Sequence, residues 1–187
     1  CEGLKDVDPA AILEDTQRNL FEGVPEKDVS RMLVMSARTL IEKQPDYCYT
    51  AARLLLDDMR TEALTFVYNG PTHATQSEIH SLYADYFDKY IKRAVDLELL
   101  DARLLEYDLN HLGKQLLAER DHQFTYLGLQ TLYDRYFIHS SDIRFELPQA
   151  FFMRVAMGLA INEVNREGRA IEFYKLLSSF DFMSSTP

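Results

Sequence analysis

Glu78-Ile79-His80-Ser81-Leu82-Tyr83-Ala84-Asp85-Tyr86-Phe87-Asp88-Lys89-Tyr90-Ile91-Lys92-Arg93-Ala94 is the stretch on which the fold turns. Ile79, Leu82, Tyr83, Tyr86, Phe87, Tyr90, Ile91 and Ala94 recur at steps of three and four. Asp85, Asp88, Lys89, Lys92 and Arg93 take the opposite side. That is the 3.6-residue period of a helix with one face in a core and the other in water. The class this implies is mainly α, a bundle-like helical domain.

Upstream of this helix, Tyr68-Asn69-Gly70-Pro71 is a strong break, and a module boundary is expected between residues 69 and 70. Before it the sequence predicts three helices. Asp8 as N-cap and Pro9 at the first helical position start one that runs to about Leu20, where Glu22-Gly23 stops it. A second begins near Pro25, places Val29, Leu33, Ala37, Leu40 and Ile41 on one face, and runs to Pro45. A third, capped by Asp46, carries Tyr49, Ala52, Arg53, Leu56 and Met59 toward Val67.

Downstream, shorter helical pieces are expected over 101–107, 108–117 and 126–136, interrupted at Gly113 and at the polar run 119–123. Tyr136-Phe137-Ile138 and Ile143-Arg144-Phe145 flank Ser140-Ser141-Asp142 and predict a small β-hairpin. Pro148 opens a helix so apolar that both of its sides should be packed. A last helix over 168–178 leads into an extended tail, 180–187. Most of the eleven tyrosines read as core edges with their hydroxyls at the surface.

The chain has 187 residues, enough for one sizeable core or two modules. Hydrophobic residues make up 47% and charged residues 27%, which rules out a chain too polar to fold. Thirty acidic against twenty basic residues leave a net charge of −10, the wrong sign for a protein that grips a nucleic-acid backbone. No apolar run is long enough to span a membrane, and the N-terminus has no signal-peptide pattern. Cys1 and Cys48 neither form a CxxC pair nor suffice for a disulfide scaffold, so a reducing, cytoplasmic compartment is expected. Ser184-Ser185-Thr186-Pro187 reads as a cut edge, the chain being a piece of a larger protein.

Local chemistry is sparse. The seven glycines lie far apart, so no phosphate-cradling loop and no nucleophile elbow can be built. Asp108-x-x-His111 and Glu119-x-x-His122 each put a carboxylate and an imidazole on one helical face, as di-iron bundles do. Only seven residues separate His111 from Glu119, too few for the second long helix such a site needs, which leaves capping and surface roles. Asp57 and Asp58 point about 100° apart on a helix, and Asp57 lies four residues from Arg53, as in a solvated ion pair. No catalytic residue and no metal ligand is assigned.

Three stretches in series carry a resemblance. They are Pro45-Asp46-Tyr47-x-Tyr49-x-Ala51-Ala52-Arg53-Leu54, Arg120-Asp121-x-x-Phe124-Thr125-Tyr126-x-Gly128-x-x-x-Leu132, and Glu146-x-Pro148-Gln149-x-x-x-Met153-Arg154-Val155-Ala156. In order and spacing they resemble the N-terminal region of the class I ribonucleoside-diphosphate reductase large subunit, over nearly the whole chain. The resemblance implies that residues 1–69 are the later helices of an ATP-cone. Residues 70–187 would then be the helical domain that precedes an α/β barrel not present in this chain. It also implies, for the full-length enzyme, thiyl-radical reduction of ribonucleoside diphosphates and ATP, dATP and other dNTP effectors. The partners would be a radical-generating small subunit, a second large subunit, and thioredoxin or glutaredoxin as reductant. A free-standing helical module that binds protein partners is the alternative.

The same resemblance places candidate positions. A nucleotide-binding cone uses a basic turn in a hairpin that would precede residue 1, then a Thr and a His four residues apart after Asp-Gly, and a later Lys. Here Glu22-Gly23 stands for Asp-Gly, Glu26 and Ser30 take the Thr and His places, and Thr61 falls near the Lys. A carboxylate at 26 would repel a triphosphate, so a degenerate cone is expected, kept for packing or oligomer contacts. Thr186 resembles the family residue that contacts the substrate diphosphate, a role a hydroxyl and neighbouring N–H groups can fill.

Overall fold

The computed structural model describes residues 1 and 3–183, with the side chains of Glu26 and Lys27 also left undescribed. Among the described residues the chain is mainly α-helical, with one two-stranded antiparallel ladder. It divides into two compact units, Cys1–Met59 with His122–Tyr136, and Arg60–Asp121 with Phe137–Pro187.

In the first unit, α1 (Pro9–Asn19) starts as its sequence predicts, the Asp8 carboxylate accepting from the Ala10 N–H at 2.9 Å. Gly23, at φ +86°, turns the chain toward α2 (Glu26–Thr39). Ile12, Ala37, Tyr47 and Ala51 form the core, covered by Val7, Leu33, Leu40, Ile41, Leu54 and Tyr126. Burying the Tyr47 ring brings its hydroxyl to Asp8, where it accepts from the backbone N–H (3.0 Å) and donates to the carbonyl (3.2 Å). Here α2 ends at Thr39 rather than at Pro45. The Lys43 and Gln44 N–H groups turn back onto the Leu40 carbonyl, each at 3.0 Å, in the turns that lead to Pro45. Next comes α3 (Tyr47–Val67), within which the division between the units falls. The short α6 (Tyr126–Arg135), capped by Thr125, completes this unit.

In the second unit, α4 (Gln76–Asp96) is held at its start by a capping box, with Thr75 and Glu78 satisfying each other's backbone N–H groups. Its predicted stripe is the buried one: Ile79, Tyr83, Tyr86, Phe87, Tyr90, Ile91 and Ala94. Asp85 and Lys89 pair on the exposed side, as do Asp88 and Lys92. A 3-10 turn (Ala102–Glu106), α5 (Leu109–Gly113) and a second 3-10 turn (Ala118–Gln123) follow. Strands β1 (His139–Ser140) and β2 (Ile143–Arg144) form the hairpin in the register His139↔Arg144. Ser141, at φ 54°, sits in its two-residue turn. Finally α7 (Pro148–Ala160) packs against α8 (Arg166–Ser178). The expectation that α7 is covered on both sides is only partly met, since Leu159 is 63% exposed.

The tyrosines require a correction. Tyr83, Tyr86, Tyr90 and Tyr174 are at most 1% exposed, hydroxyls included. Each hydroxyl has an acceptor inside the core, so none has to reach water.

Candidate functional site

Two buried polar clusters lie in the second unit, each built around a carboxylate. The first is centred on Asp121, delivered by the 3-10 turn that follows α5. Its Oδ2 accepts from the Tyr83 hydroxyl of α4 at 2.9 Å and its Oδ1 from the Gln149 amide of α7 at 2.7 Å. The Gln149 carbonyl in turn accepts from the Tyr174 hydroxyl of α8 at 2.8 Å, and that hydroxyl accepts from the Leu117 N–H at 2.8 Å. One carboxyl group thus links three helices and the turn before it. Arg60 supports the arrangement by donating to the Ala74 carbonyl (2.9 Å) and to Gln76 (2.8 Å), while Gln76 donates to the Ala118 carbonyl (2.8 Å).

The second cluster is centred on Glu146, which lies between β2 and α7. Its carboxylate accepts from the Tyr90 hydroxyl (2.5 Å), the Ile138 N–H (2.9 Å), and the Arg154 guanidinium through Nε (2.6 Å) and Nη2 (3.2 Å). Arg154 also stacks over the Phe151 ring, 5.2 Å from its centre. The neighbouring Tyr86 hydroxyl donates to the Phe145 carbonyl at 2.7 Å. Burial, and then the Glu146 charge, push the Tyr90 hydroxyl far above its ordinary range. Burial opposes the Arg154 charge, but Glu146 and Tyr90 outweigh it and hold the guanidinium protonated.

A buried carboxyl with a shifted pKa is a candidate acid or base. Asp121 is pushed up to about 6, chiefly by burial, while the Gln149 and Tyr83 hydrogen bonds and the Arg60 charge pull it down. Both of its oxygens are occupied by protein donors and the residue is 2% exposed, so no reacting atom can approach it. The group works as a tie. Its proton is bound more tightly in the folded chain than in the unfolded one, where the ordinary value is 3.8. The resulting stabilisation is full below pH 4 and is lost as the pH rises through about 6, amounting to about 3 kcal/mol. Asp121→Asn, which mimics the protonated form, should therefore gain stability relative to the parent as the pH is raised from 4 to 7. Urea unfolding across that range checks the sign; a parallel pair of curves would refute it.

Asp121, Glu146, Gln149 and Arg154 of these clusters lie in the three stretches that carry the resemblance. Residues 122–187 match the family described as ribonucleotide reductase, all-alpha domain. The whole chain is 41% identical over 189 residues to the ribonucleoside-diphosphate reductase subunit alpha of Chlamydia trachomatis, of which it spans 17%. It is 31% identical over 188 residues to the subunit alpha of Helicobacter pylori, of which it spans 22%. With the large subunit of Danio rerio it shares 28% over 192 residues, again spanning 22%.

Over its whole length the chain is similar to ribonucleoside-diphosphate reductase large subunits, and its residues 122–187 match their all-alpha domain family. It spans about a fifth of the length of the relatives it matches.

The sequence-predicted positions fall as follows. Thr186, the candidate substrate contact, lies outside the described residues, as does the whole 184–187 edge. Asp108 caps α5, its carboxylate accepting from the His111 N–H at 2.9 Å, while His111, Glu119 and His122 are exposed. Among the described residues no three His, Cys, Asp or Glu side chains gather into a metal site. Asp57 and Asp58 are half-buried on α3, and Cys1 and Cys48 are free thiols. Glu26 opens α2 with its side chain undescribed, Ser30 is half-buried on α2, and Thr61 is exposed on α3. An open cleft of about 350 Å³ lies beside α1 and α2 in the first unit, lined by Asp15, Phe21, Val24, Arg31, Met32 and Met35 among others. Among the described residues no helix is long and apolar enough to cross a membrane.

Sequence reading missed the clusters as clusters. A signal was available: tyrosines at 83, 86 and 90 lie on a stripe that must be buried, and each needs an acceptor.

Proposed function

We propose that this chain is the N-terminal, noncatalytic region of a ribonucleoside-diphosphate reductase large subunit. The whole enzyme would reduce ribonucleoside diphosphates to deoxyribonucleoside diphosphates by thiyl-radical chemistry, in the cytoplasm. It would work with a radical-generating small subunit, a second large subunit, a thioredoxin or glutaredoxin, and ATP, dATP and other dNTP effectors. Residues 1–69 are read as the later helices of a degenerate ATP-cone, and residues 70–187 as the helical domain leading toward the catalytic barrel. Neither cysteine in this chain is assigned to the redox chemistry, and Thr186 is read as a contact to the substrate diphosphate.

The observation that carries this reading is the end-to-end likeness at 41% identity. The buried ties give it physical sense, because Asp121, Glu146, Gln149 and Arg154, four positions of the quoted stretches, hydrogen-bond to one another or to other elements inside the second unit.

Turnover is the test. The full-length subunit, with its radical-generating partner and a dithiol reductant, should convert ribonucleoside diphosphate to the deoxy product, and the 187-residue chain alone should not. Turnover by the isolated chain would overturn the reading.

A further inference from the structure

The chain passes between the two units at three places: Met59–Arg60 within α3, Asp121–His122 within the second 3-10 turn, and Tyr136–Phe137 after α6. At each of them the second-unit side is held by a buried charged group. Arg60, 4% exposed, donates to the Ala74 carbonyl and to Gln76. Gln76 donates in turn to the Ala118 carbonyl, three residues before Asp121, so the first two crossings share one network. Asp121 itself is held by Tyr83 and Gln149. At the third crossing Phe137 is buried, its ring centre 5.6 Å from that of Phe151. The next residue, Ile138, donates its N–H to Glu146, which Tyr90 and Arg154 fix in place. Pulling any of these groups away would strand buried donors or acceptors. On the first-unit side, His122, Gln123, Asp134 and Arg135 are exposed.

The two units also differ in what they bury. Of the largest fully buried side chains among the described residues, only Leu56 and Leu129 belong to the first unit, while Tyr83, Tyr86, Phe87, Tyr90, Phe145 and Tyr174 belong to the second. Large aromatic side chains dominate the energetics of a core, and a region with less buried apolar surface opens at a lower free energy.

We propose that the first unit opens as one cooperative module while the second keeps its structure, the opening being stopped at the three crossings by Arg60, Asp121 and Glu146. Helix α3 then melts only as far as Met59. A helical N–H bonds to the carbonyl four residues earlier, so the amides of residues 60–63 depend on the carbonyls of 56–59 and open with the first unit. Those of residues 64–67 do not.

The test is native-state hydrogen exchange of the 187-residue chain in urea below its unfolding midpoint. Amides of α1, α2, α6 and residues 51–63 should share one opening, with protection about a hundredfold below that of residues 64–67, α4 and α7. Arg60→Leu, and Gln76→Leu as a milder removal of the same tie, should let the opening run on along α3. Protection at 64–67 should then fall at least about tenfold, with α7 within about threefold of the parent. Equal protection along α3 and between α1 and α7 would mean that the chain opens as one, and would overturn the proposal. So would a step after α3, at residues 69–70, in place of one inside it. If both variants lower 64–67 and α7 in equal measure, or lower neither, the ties at the crossings are not what stops the opening. Should Arg60→Leu fail to fold, Gln76→Leu and the parent profile decide.

Discussion

Glu146→Ala is expected to destabilise the second unit by about 3–5 kcal/mol, because it removes one carboxylate and strands several buried donors at once. The Arg154 guanidinium, with 18% of its side chain exposed, would keep its charge with no carboxylate partner. The Tyr90 hydroxyl and the Ile138 N–H would lose their acceptor. For a chain of this size that corresponds to a fall in Tm of roughly 10 °C. Much of the cost is the stranded cation rather than the intrinsic strength of the pair, so Glu146→Leu/Arg154→Leu should lose less than Glu146→Ala. Thermal melts followed by circular dichroism compare the three proteins. A single variant within about 1 kcal/mol of the parent would mean that Glu146 is not the tie described here.

The second large effect is expected at Gly113. A Cβ there would stand 2.8 Å from the Ala84 Cα and 3.0 Å from the Ala84 carbonyl oxygen. Both are backbone atoms of α4, which cannot swing aside as a flexible side chain would. Gly113→Ala must push α5 off α4 and should cost about 2–3 kcal/mol. Gly158 in α7 is the control. A Cβ there meets nothing within 4 Å, and Gly158→Ala should stabilise by up to about 1 kcal/mol through helix propensity alone. Opposite signs are thus expected for one substitution at two helical glycines. Equal effects would contradict the close approach of α5 to α4.

Gly113 also marks where sequence reasoning stops. In the sequence it is an interruption of helical spacing; in the fold it is the point where two backbones meet, which depends on Ala84, far away in the chain. What was legible is local. The Asp8-Pro9 start, the α4 stripe, the Asp108 cap and the Ser141-Asp142 turn each rest on residues within one or two turns of each other. The Tyr83–Asp121, Tyr90–Glu146 and Tyr174–Gln149 pairs join residues 38, 56 and 25 positions apart, and no periodicity reports which acceptor a buried hydroxyl will find. The carboxylates that could be imagined as chemistry from the sequence, Asp57 and Asp58 or the Asp/His and Glu/His pairs, are not the ones the fold buries. Those it does bury, Asp121 and Glu146, stood out only as positions in a family pattern.

Pattern residues are easily taken for chemistry, and here they are ties. On the function proposed above, Asp121→Asn in the full-length large subunit separates the two, since the side chain keeps its shape and can still bond Tyr83 and Gln149. Assayed with the radical-generating partner at pH 7 and well below Tm, the variant should reduce ribonucleoside diphosphate with kcat within about twofold of the parent. Loss of kcat by about a hundredfold in a protein of undiminished Tm would contradict the account and make Asp121 part of the reaction.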